Sequence, residues 1–226
     1  MKLEEKIIDF LGDSITEGVG VENCETGRYD NIIKKQCGLK AAYNHGISGT
    51  RLAHQSRPSE KPRFDLCFCG SAYDLSKDAD IIVIYGGVND YIHGDAPFGS
   101  PDDKTPATFL GAVEFLMNLL KELYPHTKIV FMTPAHCCYD TLDETRPSNR
   151  PQKRADARPL CDYVNAITEK GKQHSIPVLN LYERLMINPH LPEHKEKYTA
   201  DGLHFNDAGH KILADLLIDF IINEVL

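Results

Sequence analysis

Five consecutive apolar residues, Ile81-Ile82-Val83-Ile84-Tyr85, run into Gly86-Gly87 and constrain the fold more than any other stretch. A strand with one wet face alternates apolar and polar side chains. A continuous apolar run rich in β-branched residues needs cover on both faces, as in a parallel sheet packed between helices. The stretches around it agree with that placement. Residues 7–11 read as a first strand and residues 41–44 as a short second one, with 128–132 and 177–181 as two more. Helical spacing separates them. Tyr29, Ile32, Ile33 and Cys37 share one face before Gly38, and Leu110, Val113, Met117 and Leu120 form a stripe within 107–123. Helix resumes near Ala157, with Leu160, Val164 and Ile167 on one face. A last helix from Asp207 carries Ile212, Leu213, Leu216, Leu217, Phe220 and Ile221. Alternation of this kind predicts an α/β protein with a central parallel sheet. With no repeat and no linker, residues 1–226 are expected to form a single domain.

Composition removes several classes of function. A net charge of -8 argues against nucleic acid, whose phosphates demand a basic footprint. No run approaches the roughly 18 apolar residues of a membrane span. The first residues, Met1-Lys2-Leu3-Glu4-Glu5-Lys6, lack the apolar core of a secretory signal. Together with seven cysteines, an odd number, this leads us to expect reduced thiols and a cytoplasmic protein. Cys67-Phe68-Cys69 and Cys137-Cys138 beside His136 are not spaced as C-x-x-C, so buried thiols are expected and no metal or other cofactor. No nucleotide-binding phosphate loop is present; Gly18-Val19-Gly20 lacks the third glycine of a dinucleotide turn.

In an open α/β sheet, ligands bind at the carboxyl ends of strands. Three such ends carry glycine among polar residues: Gly12-Asp13-Ser14, Asn44 to Gly49, and Gly86 to Asp90. Ser14 is a candidate nucleophile, although Ser14-Ile15-Thr16-Glu17 is also a helix capping box. A serine needs a base, and a histidine base needs an acid that fixes its tautomer. Asp201-Gly202-Leu203-His204 supplies both from a loop before the last helix. Two further D-x-x-H pairs compete. Asp90 to His93 lies just past a strand end; Asp207 to His210 reads as a helix cap followed by a surface histidine. Donors for an oxyanion are available at Asn89 (side-chain amide), Gly49 (backbone N–H) and Ser14 (its own N–H), though Asn89-Asp90 and Gly49 also read as ordinary turn residues.

These blocks resemble a known family. Gly12-Asp13-Ser14-Ile15, Asn44-x-Gly46-x-x-Gly49, Gly87-Val88-Asn89-Asp90 and Asp201-x-x-His204 look like the four sequence blocks of the GDSL-type SGNH hydrolases, with Ile15 where the namesake motif has leucine. The resemblance implies a flavodoxin-like three-layer α/β/α sandwich that hydrolyses carboxylic esters without a metal. It implies Ser14 as nucleophile, His204 as base and Asp201 as its partner, with an oxyanion hole from Ser14, Gly49 and Asn89. The rival histidines have no catalytic counterpart there. The expected partner is a small-molecule ester, short-chain or an acetylated carbohydrate; a lysophospholipid, a thioester, or a non-catalytic glycan- or acyl-binding role are the alternatives. The polar stretches 91–106 and 135–155 follow strand ends and are expected to be loops bordering the pocket, with Tyr91, Tyr139, Arg146 and Arg150 as candidate substrate contacts. The sequence does not set the oligomeric state.

Overall fold

A computed structural model describes residues 3–57, 62–140 and 158–226. Five parallel strands form the centre: β1 (Ile7–Gly12), β2 (Ala41–Gly46), β3 (Ile81–Tyr85), β4 (Lys128–Met132) and β5 (Val178–Leu179), in the order β2-β1-β3-β4-β5. Helices α1 (Ser14–Glu17), α2 (Cys24–Gly27) and α3 (Tyr29–Cys37) lie between β1 and β2, and α4 (Phe68–Ser71) between β2 and β3. Then come α5 (Val88–Ile92) and α6 (Phe109–Leu123) before β4, and α7 (Leu160–His174) before β5. The chain closes with α8 (Leu181–Arg184), α9 (Pro192–Tyr198) and α10 (Asp207–Phe220).

All five residues of β3 are buried, as its composition demands. Its side chains divide by the two-residue period of a strand. Ile82 and Ile84 pack with Val113, Leu116 and Met117 of α6 and with Ile167 of α7. Ile81, Val83 and Tyr85 face the other way, onto Ile33 of α3 and Leu213 and Leu217 of α10. The sheet therefore separates two apolar layers, which is the α/β/α sandwich expected. Each fully buried Leu or Ile contributes roughly 1.5–3 kcal/mol relative to leaving it in water.

Four expectations about local structure change. Residues 91–106 are not loop from their start, because α5 begins directly after Gly87 and runs through Tyr91. Tyr91 is 1% exposed and its hydroxyl donates to the Tyr139 carbonyl (2.8 Å), so it is a core residue and not a substrate contact. The fifth strand is two residues long, and α8 takes over at Leu181, capped by the Asn180 side chain. His210 is fully buried rather than on the surface; Asn206, not Asp207, caps α10, and the Tyr29 N–H donates to His210 Nδ1. Arg146, Arg150 and the expected helix start near Ala157 lie outside the described residues. No helix among the described residues is long and apolar enough to cross a membrane.

Candidate active site

The strand order reverses direction between β1 and β3, and crevices form at such switch points. Ser14 follows β1, Asn89 follows β3, and the bend holding Gly49 follows β2 on the far side of β1. The site is thus assembled from three neighbouring strand ends and the loop before α10.

Ser14 is the first residue of α1 and is 8% exposed. Its N–H lies in the first turn, where no intrahelical acceptor exists. The capping box is not formed. Asp13 is the cap instead, accepting from the Ile15 N–H (3.0 Å), and this leaves the Ser14 hydroxyl for other work. That hydroxyl meets His204 Nε2 at 2.9 Å, and His204 Nδ1 meets Asp201 Oδ2 at 2.7 Å. The second oxygen of Asp201 accepts from the Leu203 and His204 N–H groups, 2.9 and 2.8 Å away. One short turn therefore orients both carboxylate and imidazole. Gly202 makes that turn feasible: its φ is +89°, and a Cβ there would lie 2.7 Å from Cys138 Sγ. The Cys138 N–H donates to the Gly202 carbonyl (2.9 Å), tying the loop to the segment after β4.

Electrostatics separate two acids near the serine. Partial burial pushes the Asp201 carboxyl up, but its hydrogen bonds from the His204 ring, from the His204 N–H and from the Leu203 N–H outweigh this and hold it well below the usual range. Asp13 behaves in the opposite way. Complete burial raises its carboxyl to about 7 against the Ile15 N–H bond and the nearby His204 ring.

Asn89 is buried on α5 and its amide donates to the Thr50 carbonyl (3.1 Å), next to Gly49. An amide carries two N–H groups. Asp90, which the sequence offers as a turn residue, accepts from the Leu52 and Ala53 N–H groups, both at 2.9 Å. Glu17, the other half of the supposed capping box, turns away from its own helix. It accepts from the Ser48 N–H (2.6 Å) and the Ser48 hydroxyl, and pairs with Arg63 (2.9 Å). Neither contact is signalled by spacing, because both partners lie more than 30 residues away along the chain. Gly46 permits the first, since a Cβ there would sit 2.2 Å from the Glu17 nitrogen.

The rival His93 ends α5, while His210 is walled into the α3–α10 packing. Cys67, Cys69, Cys137 and Cys138 are buried, and no His, Cys, Asp and Glu group among the described residues is arranged to hold a metal. Ile15, Tyr85, Val88, Ala135, His136, Cys137, Leu203 and Phe205 enclose a recess of about 10 Å³. Four of these residues, Ile15, Val88, Leu203 and Phe205, are the immediate sequence neighbours of Ser14, Asn89 and His204.

The sequence profile of the GDSL-like Lipase/Acylhydrolase family matches residues 10–212. No curated protein matches the chain. Among solved structures, a structural-genomics protein from Lactobacillus plantarum is similar at 28% identity and a TM-score of 0.81, covering 99% of each chain. A carbohydrate acetylesterase family member from Sinorhizobium meliloti shares the fold at 17% identity and a TM-score of 0.65, covering 96% of this chain and 97% of its own. The aryl esterase of M. smegmatis does so at 18% and 0.68, covering 96% and 98%. With three of its blocks at neighbouring strand ends, the fourth in the loop before α10, and a profile match across most of the sequence, the chain belongs to the GDSL-like Lipase/Acylhydrolase family and is an SGNH-type esterase.

Proposed function

We propose that Ser14 is the nucleophile of a two-step ester hydrolysis, with His204 as general base and acid and Asp201 as the residue that orients it. The observation that carries this reading is the continuous relay from Asp201 Oδ2 to His204 Nδ1 and from His204 Nε2 to the Ser14 hydroxyl, at 2.7 and 2.9 Å. Ser14 Oγ attacks the ester carbonyl carbon and its proton passes to Nε2. The tetrahedral oxyanion is held by the Ser14 and Gly49 N–H groups and the Asn89 amide. As the carbonyl–alkoxide bond breaks, Nε2 returns the proton to the leaving oxygen. Water then attacks the acyl-enzyme by the same route in reverse and frees Ser14. The Asp201 side chain is half-exposed, so its main contribution is the tautomer and ring orientation of His204 rather than the field of a buried charge.

The acyl group we assign is short, within a single hydrolase domain spanning residues 1–226. An acetylated carbohydrate is the first substrate class to try, as the acetylesterase relative suggests. Each further methylene that cannot be seated costs roughly tenfold or more in kcat/KM. p-Nitrophenyl acetate is therefore expected to exceed the butyrate by at least about tenfold; equal or reversed values contradict the short-acyl assignment. Ser14→Ala is expected to lower kcat on p-nitrophenyl acetate by about a thousandfold or more. Turnover at the wild-type rate by that variant contradicts the nucleophile.

A further inference from the structure

Two of the three oxyanion donors ride on helices rooted in the sheet: Ser14 on α1 and Asn89 on α5. Gly49 does not. It sits with φ +79° in the turn that follows β2, which Thr50 closes by donating its N–H (3.2 Å) and its hydroxyl (2.7 Å) to the Ile47 carbonyl. A donor must be held in place to lower a barrier, and a displacement of about 1 Å at a reacting group can cost a hundredfold. Those bonds shape the turn and tie its start to β1 through Ile47; the turn must also be held against the helices that carry the other two donors.

The bend is gripped from both sides. Downstream of Gly49, the Thr50 carbonyl accepts from Asn89, and the Leu52 and Ala53 N–H groups end on Asp90. Upstream, Glu17 Oε2 takes both the N–H and the hydroxyl of Ser48, the residue immediately before Gly49. Glu17 is three residues after Ser14 on the same turn of helix, so the element carrying the nucleophile also holds the loop carrying the second donor. Arg63 Nη2 donates to the other oxygen, Oε1, at 2.9 Å and keeps the carboxylate aimed. Desolvation works against the charged form, but the bonds from Ser48 and Arg63 outweigh it and hold Glu17 below its ordinary value. The Glu17 side chain is 35% exposed and belongs to neither apolar layer, so this contact is not what holds the fold together.

We propose that Glu17 is a positioning residue for the oxyanion site, fixing the Gly49 N–H relative to the Ser14 N–H by anchoring Ser48. The proposal rests on the assignment of Ser14 and Gly49 above. Its signature is a loss in kcat rather than in KM, because the donors it aligns engage the oxyanion more strongly than the ground-state carbonyl.

The test is steady-state kinetics on p-nitrophenyl acetate with Glu17→Ala, Glu17→Gln and Ser48→Ala, beside thermal melting of each. Glu17→Ala is expected to lower kcat by about ten- to a hundredfold, with KM little changed and the melting temperature nearly that of wild type. Glu17→Gln retains one acceptor and falls between the two. Ser48→Ala keeps the backbone bond and loses the hydroxyl, so it shows a smaller loss of the same kind; it carries the test alone should Glu17→Ala not fold. Combined with Asn89→Ala, the Glu17→Ala loss is less than multiplicative, since both act on one oxyanion. Full kcat in Glu17→Ala, or a loss expressed in KM, overturns the proposal. A parallel Ser14→Ala separates the two levels. Activity in that variant removes the nucleophile itself, whereas a dead Ser14→Ala beside a full-speed Glu17→Ala removes only the role of Glu17.

Discussion

Asp13 and Ser14 are adjacent, and their environments divide the labour at the end of β1. Asp13 takes the capping duty, and the serine hydroxyl is left to meet His204. Burial raises the Asp13 carboxyl from 3.8 to about 7. Between those values the folded protein holds a proton that the unfolded chain has released, so this residue's contribution to stability is greatest below about pH 4 and declines as the pH rises toward 7. Asn caps a helix nearly as well as Asp and does not titrate. Melting at pH 5 and pH 8 should therefore show a smaller drop in Asp13→Asn than in wild type; identical drops contradict the raised value. Asn89→Ala is expected to lower kcat by roughly a hundredfold or more as an oxyanion donor, and an unchanged kcat would leave it a turn residue. Ser14, Asn89, Asp201 and His204 stand out in the sequence because each sits where a strand or loop ends among glycines. Glu17 and Asp90 do not, because their partners lie across the fold and their local patterns suggest a cap and a turn.

At the scale of elements, legibility followed length. The helical stripes of α3 and α6 are visible in the sequence because nine and fifteen residues give the 3.6-residue period room to repeat. The five residues of α5 and the seven of α9 do not, and both lie among glycine and proline. The two residues of β5 leave no alternation to detect. The packing of α6 on α7 carries its own pH dependence. Glu114 of α6 accepts from Lys170 (2.8 Å) and meets His174 Nε2 (3.0 Å), both on α7. Desolvation opposes its ionisation, but the bonds from His174, Lys170 and Asn118 lower its pKa from 4.5 to about 2. The stabilisation is thus complete above pH 4.5 and is lost as the pH falls toward 2. Melting followed between pH 5 and pH 2 should show a shallower decline in Glu114→Gln than in wild type. Parallel curves would mean that the cluster contributes nothing to acid sensitivity.

For the whole molecule, alternating strands and helices announce a parallel sheet, but not which strands are neighbours. That β1 lies between β2 and β3 depends on long-range packing, and it is this order that brings Ser14, Gly49 and Asn89 to one crevice. The two apolar layers share that sheet, so one cooperative unit is expected. Leu116→Ala on one face and Leu213→Ala on the other, both at fully buried positions, should each cost about 2–5 kcal/mol. Each should shift a single urea transition, whereas two separate transitions would contradict a single domain. The site itself joins residues as distant in sequence as Ser14 and His204, so its central claim concerns the folded chain as a whole. The most direct measurement is peptide mapping by mass spectrometry after inactivation with a fluorophosphonate, which traps an activated serine. The account predicts one adduct, on Ser14, in proportion to the activity lost. Complete inactivation with the adduct on another residue would contradict it.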